Sequence, residues 1–352
     1  MGAPARQRVV GSTTAAAVTV VLLWLVPRAA GTTWARVGNT FDQISAGNLA
    51  VLAVLWITGL WCHSFVLGAA LPGLTRRRAL TLNLTGSAVA NVLPLGGAAG
   101  IGLNFAMVRR WGFGAPSFAA FTTVTNVLDV GSKISVTAVA CAVLMSRGDA
   151  LTGPLGAAGP ILIGALGAGA VLATLVFSPA GATRCGLLLD RVVSRVCVQL
   201  RLRHRSRFAA TLPHLGRTTL QVVRAHWLPL CLGTVAYAVC QGALLWWCFH
   251  AVGIDLAPAI LLAGLAVDRL LTVLPLTPGA AGIVEAGLVT ALVALGGPAD
   301  IVAAAVLTYR GFTFLAEIPV GGVGIGLWLL QQRRARPPAD ATRRTAVVGV
   351  RG

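Results

Sequence analysis

Polar and apolar positions in this chain are segregated into long blocks. Apolar stretches run at about residues 10–26, 49–71, 117–145, 155–177, 227–251 and 301–330. Several reach the ~20 residues with which an α-helix crosses a bilayer. The ~10-residue alternating segments of a membrane β-barrel do not occur, so the pattern predicts an all-α, polytopic helical membrane protein. Two further blocks, about 80–108 and 257–295, are apolar but broken. The first contains VLPLGGAAGI at residues 92–101 and the second VLPLTPGAAGI at residues 273–283. Pro94 and Pro275 stand 181 positions apart (275 − 94). Pro removes a backbone donor and Gly adds backbone freedom, so both phrases predict interrupted helices. A matched pair of Gly/Pro-interrupted hydrophobic segments in two halves of a chain points to a transporter's substrate site.

Charge at the block ends sets the expected topology. Arg76, Arg77 and Arg78 precede the first broken block, and Arg109 and Arg110 follow it. Basic flanks mark the cytoplasmic side. With both flanks inside, the block enters and returns as a re-entrant hairpin that turns near Pro94–Gly100. The second broken block is flanked by Asp255 and Asp300, with no basic residue on either side, so its flanks read as external. The last stretch ends in Arg333, Arg334 and Arg336. The topology that satisfies every flank has six crossings, two hairpins entering from opposite faces, and both termini in the cytoplasm. That is an inverted repeat. If both broken blocks cross fully, there are eight crossings and one basic cluster falls outside. The expected organisation is one transmembrane domain over 1–330. Its halves, about 49–177 and 227–330, are joined by the basic segment 178–226, and a disordered basic tail follows at 331–352. Residues 1–30 resemble a signal peptide, but Pro27-Arg28 is a poor cleavage site, and an uncleaved first helix is expected.

Composition agrees. The chain has 352 residues, 56% hydrophobic and 11% charged, with mean hydropathy +0.82. Soluble domains carry about 25% charged residues. The net charge of +18 suggests nucleic acid only in a soluble protein. Here the basic residues sit between the apolar blocks, and nucleic-acid binding is not expected. The segment 178–226 holds nine arginines against Asp190 alone. With Leu187, Leu188, Val192, Val193 and Val196 interleaved, it reads either as an amphipathic helix on the cytoplasmic leaflet or as a solvated loop. The seven cysteines form no C-x-x-C, and the five histidines, His63 among them, are scattered. No disulfide framework, metal or cofactor is expected, and no enzyme signature motif occurs.

Ionisable residues at membrane depth are costly and mark candidate sites. There are seven: Asp129, Lys133, Asp268, Arg269, Glu285, Arg310 and Glu317. Asp129 and Lys133 are four apart, on one helix face, and either neutralise each other or line a substrate path. Asp268 and Arg269 precede the second break and, being adjacent, are expected to point apart. Glu285 follows Pro278, Gly279 and Gly282. Arg310 and Glu317 lie on one stripe of the last span. These groups form either a buried network that docks the hairpin or a site in which Arg269 and Arg310 bind an anion such as phosphate. Arg269, Glu285 and Arg310 are expected to lie together around the second break. At the first break, Asn91, Pro94, Gly97 and Gly100 are the matching candidates, and Asn83, Asn91 and Asn104 can satisfy freed backbone groups.

The run Pro275-Leu-Thr-Pro-Gly-Ala-Ala-Gly-Ile-Val-Glu-Ala-Gly-Leu288, then Ala294-Leu-Gly296, then Tyr309-Arg310, resembles the flippase-like transmembrane region of lysylphosphatidylglycerol synthases. The stretch from Asn91 through Pro94 to Gly100 resembles that family's earlier motif. The likeness covers most of residues 50–330 and puts Glu285 and Arg310 on family positions. Two departures stand out: Ile101 to Asn104 replace a charged pair found in many relatives, and Ala280 replaces a Gly. The synthases also carry an aminoacyltransferase domain, whereas 22 residues follow Leu330 here (352 − 330). Aminoacyl transfer is therefore not expected. The resemblance implies a translocase in a bacterial inner membrane. Its substrate would be an anionic phospholipid or an isoprenoid-phosphate-linked sugar. The alternatives are a scaffold for an envelope-biosynthesis enzyme and, more weakly, an intramembrane enzyme. The sequence does not specify the oligomeric state.

Overall fold

The computed structural model describes residues 33–93, 96–146, 208–273 and 277–334, together with Leu187. The first and fourth expected spans, Pro94, Pro275, most of the basic segment and the tail beyond Arg334 lie outside the described residues, while residues 331–334, expected in the tail, continue the last helix. Those described are helical, with no strand among them. In chain order the helices are α1 (Trp34–Phe41), α2 (Ala46–Ala70), α3 (Arg76–Val92), α4 (Gly96–Arg110), α5 (Ala115–Ser146) and α6 (Phe208–Ala251). Then follow α7 (Pro258–Leu271), a 3₁₀ turn (Pro278–Ala280), α8 (Ile283–Ala294), α9 (Ala299–Arg310), a π segment (Gly311–Leu315) and α10 (Glu317–Arg334).

Four helical stretches are long and apolar enough to cross a membrane: Ala46–Ala70, Ala115–Ser146, Pro213–Ala251 and Ala299–Gln332. They coincide with the second, third, fifth and last apolar blocks. The helices of the broken blocks are shorter, at 17 and 15 residues for α3 and α4 and 14 and 12 for α7 and α8. At 1.5 Å rise per residue the longest of them covers about 26 Å, short of the ~30 Å hydrocarbon core. Local chemistry sets the ends. Ser45 caps α2 by accepting from the Asn48 amide, and Thr75 caps α3 by accepting from that of Arg78. Gly73, at φ +91°, makes the turn between them. In α6 the backbone departs from helical geometry at His226, one residue before the expected start of that span. Pro229 cannot donate to the carbonyl four residues back, at Ala225, which accounts for the bend.

Inside a bilayer, apolar side chains gain nothing by leaving lipid for a neighbouring helix. Close packing across small residues holds helices together instead. This chain follows that rule. The central pair is α2 against α6, where a Cβ at Gly233 would meet Val66 at 2.7 Å and one at Gly59 would meet Cys240 at 3.4 Å. Gly321 of α10 sits directly on the Leu84 carbonyl and Ala88 of α3. Within the first hairpin, Gly100 abuts the Gly86 carbonyl, 2.7 Å from where its Cβ would lie. Within the second, Gly264 and Gly287 accept Leu292 and Leu271. The exposed apolar side chains, such as Val54, Ile57, Leu232, Val235 and Val239, then face the lipid.

The neighbours follow a reciprocal pattern. The first helix of one hairpin, α3, packs on α10, which belongs to the long stretch after the other hairpin. The first helix of the second hairpin, α7, packs on α5, the long helix after the first. Two separate apolar clusters result. One surrounds α3 and α4 with Leu82, Met107, Phe118 and Phe121, and the other surrounds α7 to α9 with Leu265, Leu288, Leu292 and Val306.

Candidate functional site

Both hairpins contribute to one cavity of about 350 Å³. The α3 helix brings Ser87 and Asn91, and the start of α4 brings Gly96 and Gly97. The α5 helix brings Thr125, Asp129 and Lys133, and α7 brings Asp268 and Arg269. The 3₁₀ turn brings Gly279 and Ala280. Tyr309, Arg310, Thr313, Phe314 and Glu317 come from the last stretch. Nine of the fourteen residues singled out in the sequence therefore line one space: Asn91, Gly97, Asp129, Lys133, Asp268, Arg269, Gly279, Arg310 and Glu317. Gly100 lines an adjoining groove that shares His63, Asn83, Ser87, Gly97, Thr125 and Asp129 with it. Pro278, Gly282 and Glu285 stand behind the cavity wall.

The second break is built around Glu285. Gly282 has φ +85°, and its amide donates to Glu285 Oε2 at 2.6 Å. The carboxylate thereby caps the N-terminus of its own helix, α8, where the helix dipole favours negative charge. Its other oxygen accepts from Arg310 Nε at 2.7 Å. Arg310 Nη2 donates to the Gly279 carbonyl at 3.0 Å, a carbonyl left free by the break. Arg310 thus bolts the turn to α9 and still stands over the Phe314 ring at 5.1 Å. Gly279 (φ +58°) and Ala280 (φ +54°) both occupy the left-handed region. An L residue there costs roughly 1–2 kcal/mol. Ala280, which departs from the family's Gly, therefore holds a strained conformation at the cavity wall.

Arg269 belongs to a different pair. Its Nη2 donates to the Tyr309 hydroxyl at 3.2 Å, and its Nε lies 3.5 Å from Asp268 Oδ2. Tyr309 in turn donates to Asp268 at 3.5 Å. Asp268 and Arg269 were expected to diverge because they are adjacent. The long guanidinium stem folds back across Tyr309, and the two charges meet on one hydroxyl. The expected single network of Arg269, Glu285 and Arg310 is accordingly two networks side by side. Asp129 and Lys133 do pair, at 2.8 Å, as their spacing implied. Glu317, expected beside Arg310, forms no ion pair among the described residues. Asn91 Nδ2, from the first hairpin, reaches it at 3.5 Å and also donates to the Phe314 carbonyl at 3.3 Å. That carbonyl lies in the π segment, so Asn91 does bond to irregular backbone, but in another element.

The sequence reading passed over part of the lining. Tyr237 and Gln241 bond to each other at 2.9 Å on α6, with Thr234 one turn earlier. Their spacing of three and four on an otherwise apolar helix was the available signal. His63 stacks on Tyr237 at 4.8 Å and bonds to Asn83 at 3.1 Å. No spacing rule could have joined those positions. Among the described residues no group of three His, Cys, Asp or Glu side chains converges as a metal site.

The arrangement offers a polar chamber at membrane depth with cations, carboxylates, amides and hydroxyls on its wall. Its Arg forks suit phosphate oxygens. Comparison with known proteins gives the family. No curated protein and no solved structure matches the chain. Residues 12–321 match the family described as the lysylphosphatidylglycerol synthase TM region. That match spans three of the four apolar helices, the fourth as far as Gly321, both broken segments and every residue of the cavity, and the chain belongs to this family.

Proposed function

We propose that the protein is a lipid translocase of the inner membrane that passes a phosphate-bearing headgroup through the cavity between the hairpins. The observation that carries this reading is the cavity itself. A scaffold has no need of charged and polar groups at membrane depth, where each is penalised by roughly 2.5–3.5 kcal/mol on insertion scales. A dry, packed interior would suit it better. The reciprocal packing of α3 on α10 and α7 on α5 supports an inverted repeat, in which the two hairpins exchange exposure of one site.

Among the three cations, Arg269 is the best placed to grip phosphate. Lys133 and Arg310 hold their carboxylates at 2.8 and 2.7 Å, whereas Arg269 stands 3.5 Å from Asp268. The loosest pair is the one a phosphate displaces most cheaply. The substrate is then an anionic phospholipid or an isoprenoid-phosphate-linked sugar.

Reconstitution tests the function. Vesicles containing the purified protein and headgroup-labelled phosphatidylglycerol, or a labelled polyprenyl-phosphate sugar, are treated with a membrane-impermeant quencher. Protein-dependent access to the inner-leaflet label is expected for one of the two. Equal access with and without protein, for both, overturns the reading.

Topology is tested separately. Single cysteines at Arg77 and Arg110, in a background without native cysteines, should label from the cytoplasmic side. Cysteines at Asp255 and Asp300 should label from the external side. Labelling of Arg77 and Arg110 positions from opposite faces removes the first hairpin.

A further inference from the structure

Three of the four carboxylates at the cavity have a cation: Asp129 has Lys133, Asp268 has Arg269 and Glu285 has Arg310. Glu317 has none among the described residues. Its one hydrogen-bond partner among the described residues is neutral: Asn91 of α3 donates to it at 3.5 Å, while Arg310, held by Glu285, attracts it only from beyond ion-pair distance. The same Asn91 nitrogen holds the Phe314 carbonyl of the π segment. One amide therefore ties the tip of the first hairpin to both the π segment and the lone carboxylate. Below this point α3 is fixed to α10 by the Gly321 contact on Leu84 and Ala88. Beyond that contact lies the last turn of α3, which carries Asn91, leads into the break and packs against Gly96 and Gly279.

We infer that Glu317 is a proton-binding residue, and that its protonation loosens the Asn91 latch between the first hairpin and the last helix. Ionised, Glu317 accepts a charge-assisted bond, about twice as strong as a neutral one. A proton cancels the charge and leaves Asn91 a neutral acceptor oxygen, so the bond loses its charge assistance. The latch is thus tightest when Glu317 is ionised and loosens on acidification, when the Phe314 carbonyl is left as its firmer bond. A carboxylate at this depth without a counter-ion is neutralised by a proton or by a cationic ligand. The surroundings favour the proton. An ammonium needs several acceptors. Here the Asn91 amide donates to the carboxylate and turns its own carbonyl oxygen towards Gly279, 2.8 Å from where a Cβ would sit. The other groups facing the cavity are His63 from α2, Asp129 and Lys133 from α5, Tyr237 from α6, Asp268 and Arg269 from α7, and Tyr309 and Arg310 from α9. Their acids and bases are matched one to one once Glu285 is counted with Arg310. The matched cations also oppose entry of an amine.

The inference deepens the transport reading by naming what shifts the cavity between states, but its readouts use no lipid substrate. Val92 and Leu315 are both exposed and flank the latch. Spin labels at these positions, in the full chain without native cysteines, should report a longer distance at acidic than at neutral pH. Glu317→Gln should abolish that dependence. Asn91→Ala should give the long distance at both. In infrared difference spectra, the protonated-carboxyl absorbance that rises on acidification should be smaller in Glu317→Gln by one carboxyl and persist in full in Asn91→Ala. An undiminished band in Glu317→Gln, or a pH-dependent distance in that variant, overturns the proposal. A distance change produced by ethanolamine at neutral pH, and not by acid, assigns the site to a cationic ligand and overturns it too. A working latch without lipid movement, or lipid movement without a latch, separates this inference from the translocase reading.

Discussion

Glu285→Ala lowers the stability of the protein by roughly 3–5 kcal/mol, the range for removing one partner of a buried ion pair. The size follows from what the side chain does twice. One oxygen caps α8 through the Gly282 amide and the other holds Arg310 Nε. Without it, Arg310 is left as an uncompensated charge, and the break loses its link to α9. Thermal unfolding in detergent reads the loss as a fall in melting temperature. Glu285→Ala with Arg310→Ala should recover part of it, because the stranded charge is gone. Glu285→Gln should fall between wild type and Glu285→Ala. Gln keeps the shape but offers one acceptor where the site uses two, so one donor, Gly282 or Arg310, meets an amide N–H. If Glu285→Ala unfolds with the wild type, the carboxylate does not hold the turn.

Arg269→Lys should cut translocation by about 10–100-fold while leaving the melting temperature close to wild type. Lys preserves a positive charge opposite Asp268, which is almost fully buried, so the pair survives. What is lost is the planar fork, which donates to Tyr309 and leaves further N–H groups for phosphate. One missing bond to a charged group is worth ~1.5–3 kcal/mol, and ~1.4 kcal/mol is a factor of ten. The quencher-access assay, run beside a melting curve, distinguishes the two effects. Full activity at normal stability places phosphate recognition on another residue. A large fall in stability makes Arg269 a structural group.

How much of this was legible depended on sequence distance. The apolar blocks named the four spans because bilayer thickness imposes a length on each. The repeated VLPL phrases named both breaks, since Pro and Gly act locally. The Asp129–Lys133 pair was readable because four residues make slightly more than one helical turn. Glu285 and Arg310 were readable as partners for a different reason. Two lone charges near one break are cheaper together than apart.

The remaining assignments depend on which helices touch. Arg269 could not be given to Tyr309 and Asp268 before the crossing of α7 and α9 was known. The Asn91 contact with Glu317 joins positions 226 residues apart, through the close approach of α3 and α10 at Gly321. His63, Tyr237 and Gln241 carry no motif and become cavity residues only because α2 and α6 cross at Gly59 and Gly233. By itself, then, the sequence determined the spans, the breaks and the set of charges within the apolar blocks, because each follows from chain-local physics: hydrophobic length, backbone breaking and the cost of a charge in lipid. Only the tertiary structure decided which charge meets which and that Glu317 has no ion pair among the described residues, because pairing across helices is set by backbone approach at glycines, and that geometry has no period along the chain.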